Sequence, residues 1–267
     1  MTASLLSAAP EILQRLSTAN EIVLALDFDG TLAPIVERPE LAAVPPGTMQ
    51  VLRDLSASER LRVVILSGRS LADLQARIQA DCILAGNHGL EIEGDGIRFL
   101  HEGAARARPA IDCICSDLRE VLESITGVLV EDKGLSATVH YRQVPRDLWP
   151  WIEATVHGVM RPYAQWLVLK PARKAWEMRP RVEWDKGSAL DLVLGHFRGE
   201  DQAVICAGDD ATDEDMFRVR SGCISVQVGN RPSAARYSVD GPAGLALFLS
   251  YLAESPLCAM PLSARVG

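Results

Sequence analysis

The stretch Glu21 to Leu32, EIVLALDFDGTL, restricts the possible folds of this chain more than any other segment. A run of apolar residues ends abruptly in two aspartates flanking one phenylalanine. Ile22 to Leu26 reads as a buried parallel strand, too short for a helix, with Gly30 and Thr31 as its stop signal. Asp27 and Asp29 then sit at the carboxyl end of a central strand, where open α/β sheets hold their ligands. Two carboxylates this close repel each other unless a cation holds them, so the spacing asks for a divalent metal. Oxygen-only ligands point to Mg²⁺, which takes few protein carboxylates and keeps positions for water and a phosphate. Alone, a D-x-D pair is equally compatible with a solvated loop or a helix N-cap.

Three further segments weigh against that bland reading. Val63 to Leu66 is a second apolar strand ending in Ser67-Gly68-Arg69, a hydroxyl and a turn suited to a phosphate oxygen. Lys186, in WDKGSAL, opens a helical pattern and supplies a point charge. Ala203 to Ala207 is a third strand, followed by the acid cluster Gly208-Asp209-Asp210-Ala211-Thr212-Asp213-Glu214-Asp215. Of these acids, Asp210, Glu214 and Asp215 read as surface or helix-start carboxylates, because a first helical turn favours acids. Strand-helix-strand alternation, with Thr48 to Leu55 and Leu71 to Ile78 as helices, gives a parallel sheet with right-handed crossovers.

Taken together, these segments resemble the haloacid dehalogenase superfamily of phosphotransferases with an aspartate nucleophile. The segments LALDFDGTLAPI, VILSGRS, GNHGLE, EDKG, VHYR, EMRPRVEWDKG and GDDATDEDMF are similar, more narrowly, to the trehalose-6-phosphate phosphatases. The fold class expected is therefore α/β, a Rossmann-like parallel-sheet haloacid dehalogenase core carrying an inserted α+β cap. Residues 1–105 and 181–267 are expected to form the core and 106–180 the cap. Within 106–180, a helical stretch around Ile111 to Ile125 precedes strands at Val128 to Glu131 and Ala137 to Tyr141. A helix at Trp149 to Met160 and strands at Trp166 to Lys170 and Ala175 to Met178 follow.

Motif chemistry and the resemblance together imply the site. Asp27 is the expected nucleophile, giving an aspartyl-phosphate that splits one hard step into two. Asp29 is the expected acid and base, protonating the leaving sugar oxygen and then activating water. Mg²⁺ is expected on Asp27, the backbone carbonyl of Asp29 and Asp209, with Asp213 near or through water. Ser67 and Lys186 are expected to hold phosphoryl oxygens, with Arg69 also facing the substrate. The resemblance implies sugar contact for Asn87 and His88. In the cap, Glu131 and Lys133, His140 and Arg142, and Glu177 and Arg179 lie two apart and so share a face if extended. Such pairs suit either surface salt bridges or the directional hydrogen bonds of a disaccharide site. The resemblance assigns them to sugar recognition. Where the family often has Gly-Lys before the last of these strands, this chain has Ala172-Arg173-Lys174, which leaves open which basic residue takes that role.

The activity implied is hydrolysis of trehalose 6-phosphate to trehalose and phosphate, the last step of trehalose biosynthesis, with functional coupling to a trehalose-6-phosphate synthase in view. Two alternatives stand beside it: a phosphatase for another sugar phosphate, such as sucrose 6-phosphate, or a non-catalytic sugar-phosphate sensor. A mutase is disfavoured, since the short Ala33 to Gly47 connection has no room for a cap after the first aspartates.

Composition narrows the partners. A net charge of −8 argues against nucleic acid, which wants a basic face, but not against a small anionic substrate. No stretch approaches the roughly 20 apolar residues of a membrane span. The first twenty residues lack a basic start and a long apolar core, and the six cysteines are scattered, so a cytoplasmic protein with reduced thiols is expected. Pro256 to Gly267 reads as a frayed tail.

Overall fold

A computed structural model describes residues 2–197 and 201–259. In chain order the elements begin with β1 (Ala3–Ser4), α1 (Leu5–Ser17), β2 (Glu21–Asp27), α2 (Pro46–Ser56), β3 (Leu61–Leu66), α3 (Leu71–Arg77), β4 (Ile83–Gly86), β5 (Glu91–Gly94) and β6 (Ile97–Leu100). Next come α4 (Glu102–Leu122), β7 (Leu129–Asp132), β8 (Ala137–His140), α5 (Trp149–Met160), β9 (Leu167–Ala172) and β10 (Ala175–Pro180). The chain closes with α6 (Lys186–Phe197), β11 (Gln202–Gly208), α7 (Glu214–Phe217), β12 (Ile224–Val228), β13 (Tyr237–Val239), α8 (Pro242–Ala253) and α9 (Pro256–Ala259). It divides into two compact units, Met1–Phe99 with Trp184–Gly267, and Leu100–Glu183.

The first unit is organised around β2, whose side chains alternate between two apolar layers as a strand buried on both faces requires. Ile22, Leu24 and Leu26 join residues of α1, α2, α3 and α8 in one core. Val23 and Ala25 join α6 and α7 in the other. The sheet order is β1-β13-β12-β11-β2-β3-β4-β5-β6, with β2 paired in parallel to β3 on one side and β11 on the other. The chain first winds outward through β3 and β4, then returns to add β11, β12 and β13 on the opposite side. The strand order therefore reverses between β2 and β11, and the crevice beyond their carboxyl ends is where such a sheet binds ligands.

Several elements extend past the sequence expectation. The two-residue β1 and the short β13 pair in parallel at the sheet edge, and neither carries the length or patterning that announces a strand. A frayed tail was expected from Pro256. Instead Pro256–Ala259 is helical and Leu257 joins the core, while residues 260–267 of that expectation lie outside the described residues.

The second unit is a four-stranded antiparallel sheet in the order β7-β8-β10-β9. One face, with Ala137, Val139, Leu167 and Met178, packs on Ile111, Ile114 and Leu118 of α4 and Ile152 and Val156 of α5. Register sets Glu131 opposite Thr138, and Thr138 opposite Glu177, so the other face is polar. The helix α4 begins well before Ile111 because His101 caps it, its Nδ1 accepting from the backbone N–H groups of Gly103 and Ala104. Among the described residues no helix is long and apolar enough to cross a membrane.

Candidate active site

At the end of β2 the Asp27 side chain is buried, and its Oδ1 accepts a 2.6 Å hydrogen bond from Lys186 Nζ. The same ammonium donates at 2.6 Å to Asp213 Oδ1. Lys186 is the first residue of α6, and that helix packs on the sheet through Ala189, Leu190, Val193 and Leu194, which delivers the ammonium beneath the strand ends. Asp209 follows β11 directly. Carboxylate oxygens of Asp27, Asp209 and Asp213 all lie within 4.8 Å of one another.

Glycines and backbone bonds make this crowding possible. Gly30 sits at φ +83°, and a Cβ there would meet Asp209 Oδ2 at 2.3 Å. A Cβ on Gly208 would meet Asp213 Cγ at 2.2 Å. Asp210 and Asp213 cap the turn that follows: Asp210 Oδ1 accepts from Thr212 N, and Asp213 Oδ2 from Asp210 N. Gln227, buried on β12, donates to the backbone carbonyl of Asp209 at 3.1 Å and anchors it from the neighbouring strand.

The electrostatics are those of a site short of positive charge. Burial raises the Asp27 carboxyl well above its ordinary range; Lys186 opposes this, and Asp213 and Asp209 add to it. Asp209 is pushed up to about 7, by burial first and then by Asp213 and Asp210. Burial would lower the Lys186 ammonium, but Asp213 and Asp27 outweigh it and leave it raised and charged. Three converging carboxylates against one ammonium fit a hard divalent cation, because oxygen donors and uncompensated negative charge are what such an ion selects.

The second strand end brings Ser67, Arg69, Asn87 and His88 together. Ser67 is buried, its Oγ accepts from Arg69 N, and its backbone bonds Ala85 of β4 and N–H of His88. Asn87 and His88 both have positive φ, 49° and 58°. His88 packs its ring on Gly68, where a Cβ would lie 2.7 Å from Nε2. Asn87 is fully buried and donates to Glu91 Oε1, which also caps the N–H of Leu71. That position shapes the turn through Glu91.

The Arg69 guanidinium grips Asp29 at two points and Asp73 at a third. The Asp29 side chain thus points to Arg69 and stands outside the carboxylate triple. Glu214, expected at the surface or a helix start, does open α7, but it is buried and its Oε2 accepts from Ala234 N. Glu91, Asp73 and Gln227 belong to the site's framework and were not read from the sequence. A polar residue within an apolar strand, as at Gln227, is the one signal that could have exposed any of them.

In the second unit the expected residues pair across strands more than along them. His140 Nε2 and Glu131 Oε2 are 2.8 Å apart, and Lys133 Nζ lies 3.5 Å from Glu177 Oε1. Arg179 Nε donates to Glu177 Oε2 at 2.7 Å, a predicted pair that forms along a strand. Because β8 ends at His140, Arg142 stands in the following turn, and the same-face argument does not reach it. Arg173 and Lys174 form the turn between β9 and β10, where Lys174 Nζ lies 5.9 Å from the Trp149 ring centroid.

A reversing parallel sheet that ends in D-x-D, a buried lysine and a third strand's aspartates defines a phosphatase of the haloacid dehalogenase class. One such phosphatase, from Bacteroides thetaiotaomicron, shares the fold at a TM-score of 0.53 and 17% identity, over 88% of this chain and 96% of that one. The trehalose-phosphatase family model matches residues 25–243, and the chain belongs to that family of phosphoric monoester hydrolases. A trehalose-phosphate phosphatase of Mycobacterium tuberculosis is 38% identical over 273 residues, covering 94% of this chain and 68% of the relative. The crystal structure of a trehalose-6-phosphate phosphatase related protein matches with a TM-score of 0.77 and 26% identity, over 86% of this chain and 96% of that one.

Proposed function

We propose that this chain hydrolyses trehalose 6-phosphate to trehalose and inorganic phosphate through a phosphorylated Asp27, with Mg²⁺ as its cofactor. The observation that carries this reading is the buried Asp27 carboxylate, bonded by Lys186 at 2.6 Å beside Asp209 and Asp213. Lys186 engages Oδ1 of Asp27, which leaves Oδ2 to attack phosphorus. A P–O bond forms to Asp27 as the bond to the sugar oxygen breaks, and Asp29 gives that oxygen a proton. Asp29 then takes a proton from water as the water oxygen attacks phosphorus, releasing phosphate and restoring Asp27. Ser67 Oγ and Lys186 Nζ hold the transferred group's oxygens. Asp27, the backbone carbonyl of Asp29, and Asp209 would hold Mg²⁺, with Asp213 behind them. When bound, the ion neutralises charge on the phosphoryl oxygens.

Leu100–Glu183 serves as the cap that recognises the sugar. The polar face formed by Glu131, Lys133, His140, Glu177 and Arg179 offers both donors and acceptors to sugar hydroxyls. Arg142 adds a cation at the end of β8. All six cysteines are free thiols, which suits a reducing cytosol. A synthase that supplies trehalose 6-phosphate is the functional neighbour this reaction requires.

Phosphate release from trehalose 6-phosphate, sucrose 6-phosphate and glucose 6-phosphate, with and without Mg²⁺, tests the reading. Mg²⁺-dependent turnover fastest on trehalose 6-phosphate is expected, and Asp27→Asn should remove it while leaving the fold intact. Near wild-type turnover by Asp27→Asn would end the nucleophile assignment.

A further inference from the structure

We infer that Arg69 is the positioning residue for Asp29, a preset fork that fixes the place and plane of the acid-base carboxylate. This deepens the proposed reaction and rests on the role given there to Asp29. Arg69 Nε donates to Asp29 Oδ2 and Nη2 to Asp29 Oδ1, both at 2.7 Å, the paired geometry in which a guanidinium dictates the plane of a carboxylate.

Three contacts set the fork independently of Asp29. Nη1 donates to Asp73 Oδ2 at 2.8 Å, and Nη2 also donates to the Pro39 carbonyl at 2.9 Å. The guanidinium carbon lies 5.0 Å from the centroid of Phe28, the fully buried residue between the two aspartates. Asp73 is itself held by Arg77, whose Nε donates to Oδ2 at 2.7 Å. The Arg69 side chain is 9% exposed and that of Asp29 43%. Arg69 is therefore the immobile member of the pair. Asp29 lies just past the strand end, and its side chain is half open to solvent.

A substrate contact would use the guanidinium differently. Such a group presents donors toward the ligand, whereas four of the five N–H groups here are directed at Asp29, Asp73 and Pro39. Lysine can match the charge of Arg69 but not the fork, so Arg69→Lys separates the two functions.

The test compares wild type, Arg69→Lys and Asp29→Asn on trehalose 6-phosphate and on p-nitrophenyl phosphate, in the presence of Mg²⁺. The sugar oxygen needs a proton as it leaves, and nitrophenolate does not. Arg69→Lys is expected to lower kcat on the sugar phosphate by about 10- to 100-fold, the scale of a catalytic group misplaced by an ångström. On p-nitrophenyl phosphate it is expected to give a burst of one nitrophenolate per active site and then slow turnover, because only the water step still needs Asp29. Asp29→Asn should show the same signature more strongly. Arg69→Ala with millimolar guanidinium added provides a second readout, recovery of the sugar-phosphate rate. Equal losses on both substrates by Arg69→Lys, without a burst and without guanidinium recovery, would overturn the positioning role while Asp29→Asn keeps its signature. If Asp29→Asn itself shows neither burst nor leaving-group dependence, the acid-base assignment falls and takes this inference with it.

Discussion

Gly30 and Asp209 approach so closely that a methyl group on residue 30 would stand 2.3 Å from the Asp209 carboxylate oxygen. The two residues come from different strand ends, and the missing side chain of one makes the position of the other possible. Gly30→Ala meets both this clash and a φ of +83°, a conformation that costs an L-residue about 1–2 kcal/mol. A lowered melting temperature is expected, together with a several-fold rise in the Mg²⁺ concentration needed for half-maximal phosphate release. Unchanged Mg²⁺ dependence would show that Asp209 tolerates displacement.

Lys186 is shared between two buried carboxylates, so its removal leaves both without their ammonium partner. Lys186→Met should destabilise the fold by about 3–5 kcal/mol near neutral pH, the scale for breaking a buried ion pair. The loss should shrink in acid, where Asp27 and Asp213 can take up protons. Urea unfolding at two pH values measures both parts.

Asp209 makes the metal-free protein's stability depend on pH. Its carboxyl, pushed up to about 7 from an ordinary 3.8, binds a proton more tightly when folded. Its stabilising contribution is thus present at low pH and is lost as pH rises through that interval. Chelator-treated protein should lose melting temperature from this group between roughly pH 4 and pH 7. Added Mg²⁺ should raise the melting temperature more at the upper end of that range, since the cation competes with the proton for the same oxygens. A Mg²⁺ effect that is larger in acid would contradict this account.

Glu177 links Lys133 and Arg179 on the polar face of the second unit. Replacing it with alanine should raise KM for trehalose 6-phosphate by about tenfold, equivalent to one lost hydrogen bond to a charged group. The rate on p-nitrophenyl phosphate, which has no sugar to recognise, should hardly change. Parallel steady-state kinetics on the two substrates decide it, and equal losses would reduce Glu177 to a structural ion pair.

What the sequence disclosed follows from how local each signal is. The strand ends bearing Asp27, Ser67 and Asp209 were legible because burial on both faces writes an uninterrupted apolar run, and a charged residue marks where it stops. Lys186 was legible because it opens an apolar helix pattern. The Arg69 fork was not, since its partner lies 40 positions away and a fork between loops leaves no period. The burial of Asn87 was not legible, because a buried turn amide and an exposed one look alike in sequence. The strands β1 and β13 owe their existence to pairing at a sheet edge, which is tertiary information. Arg142 shows the limit of alternation, which predicts a shared face only while the strand continues.

The carboxylate triple also sets a conflict between endurance and work. Three acids share one ammonium at this strand end, so trimming the excess charge should relieve their mutual repulsion in metal-free protein. Asp209→Asn should make a hardier but idle protein. Selection for robustness alone would erode this corner of the sheet first, since folding by itself does not call for three acids around one ammonium.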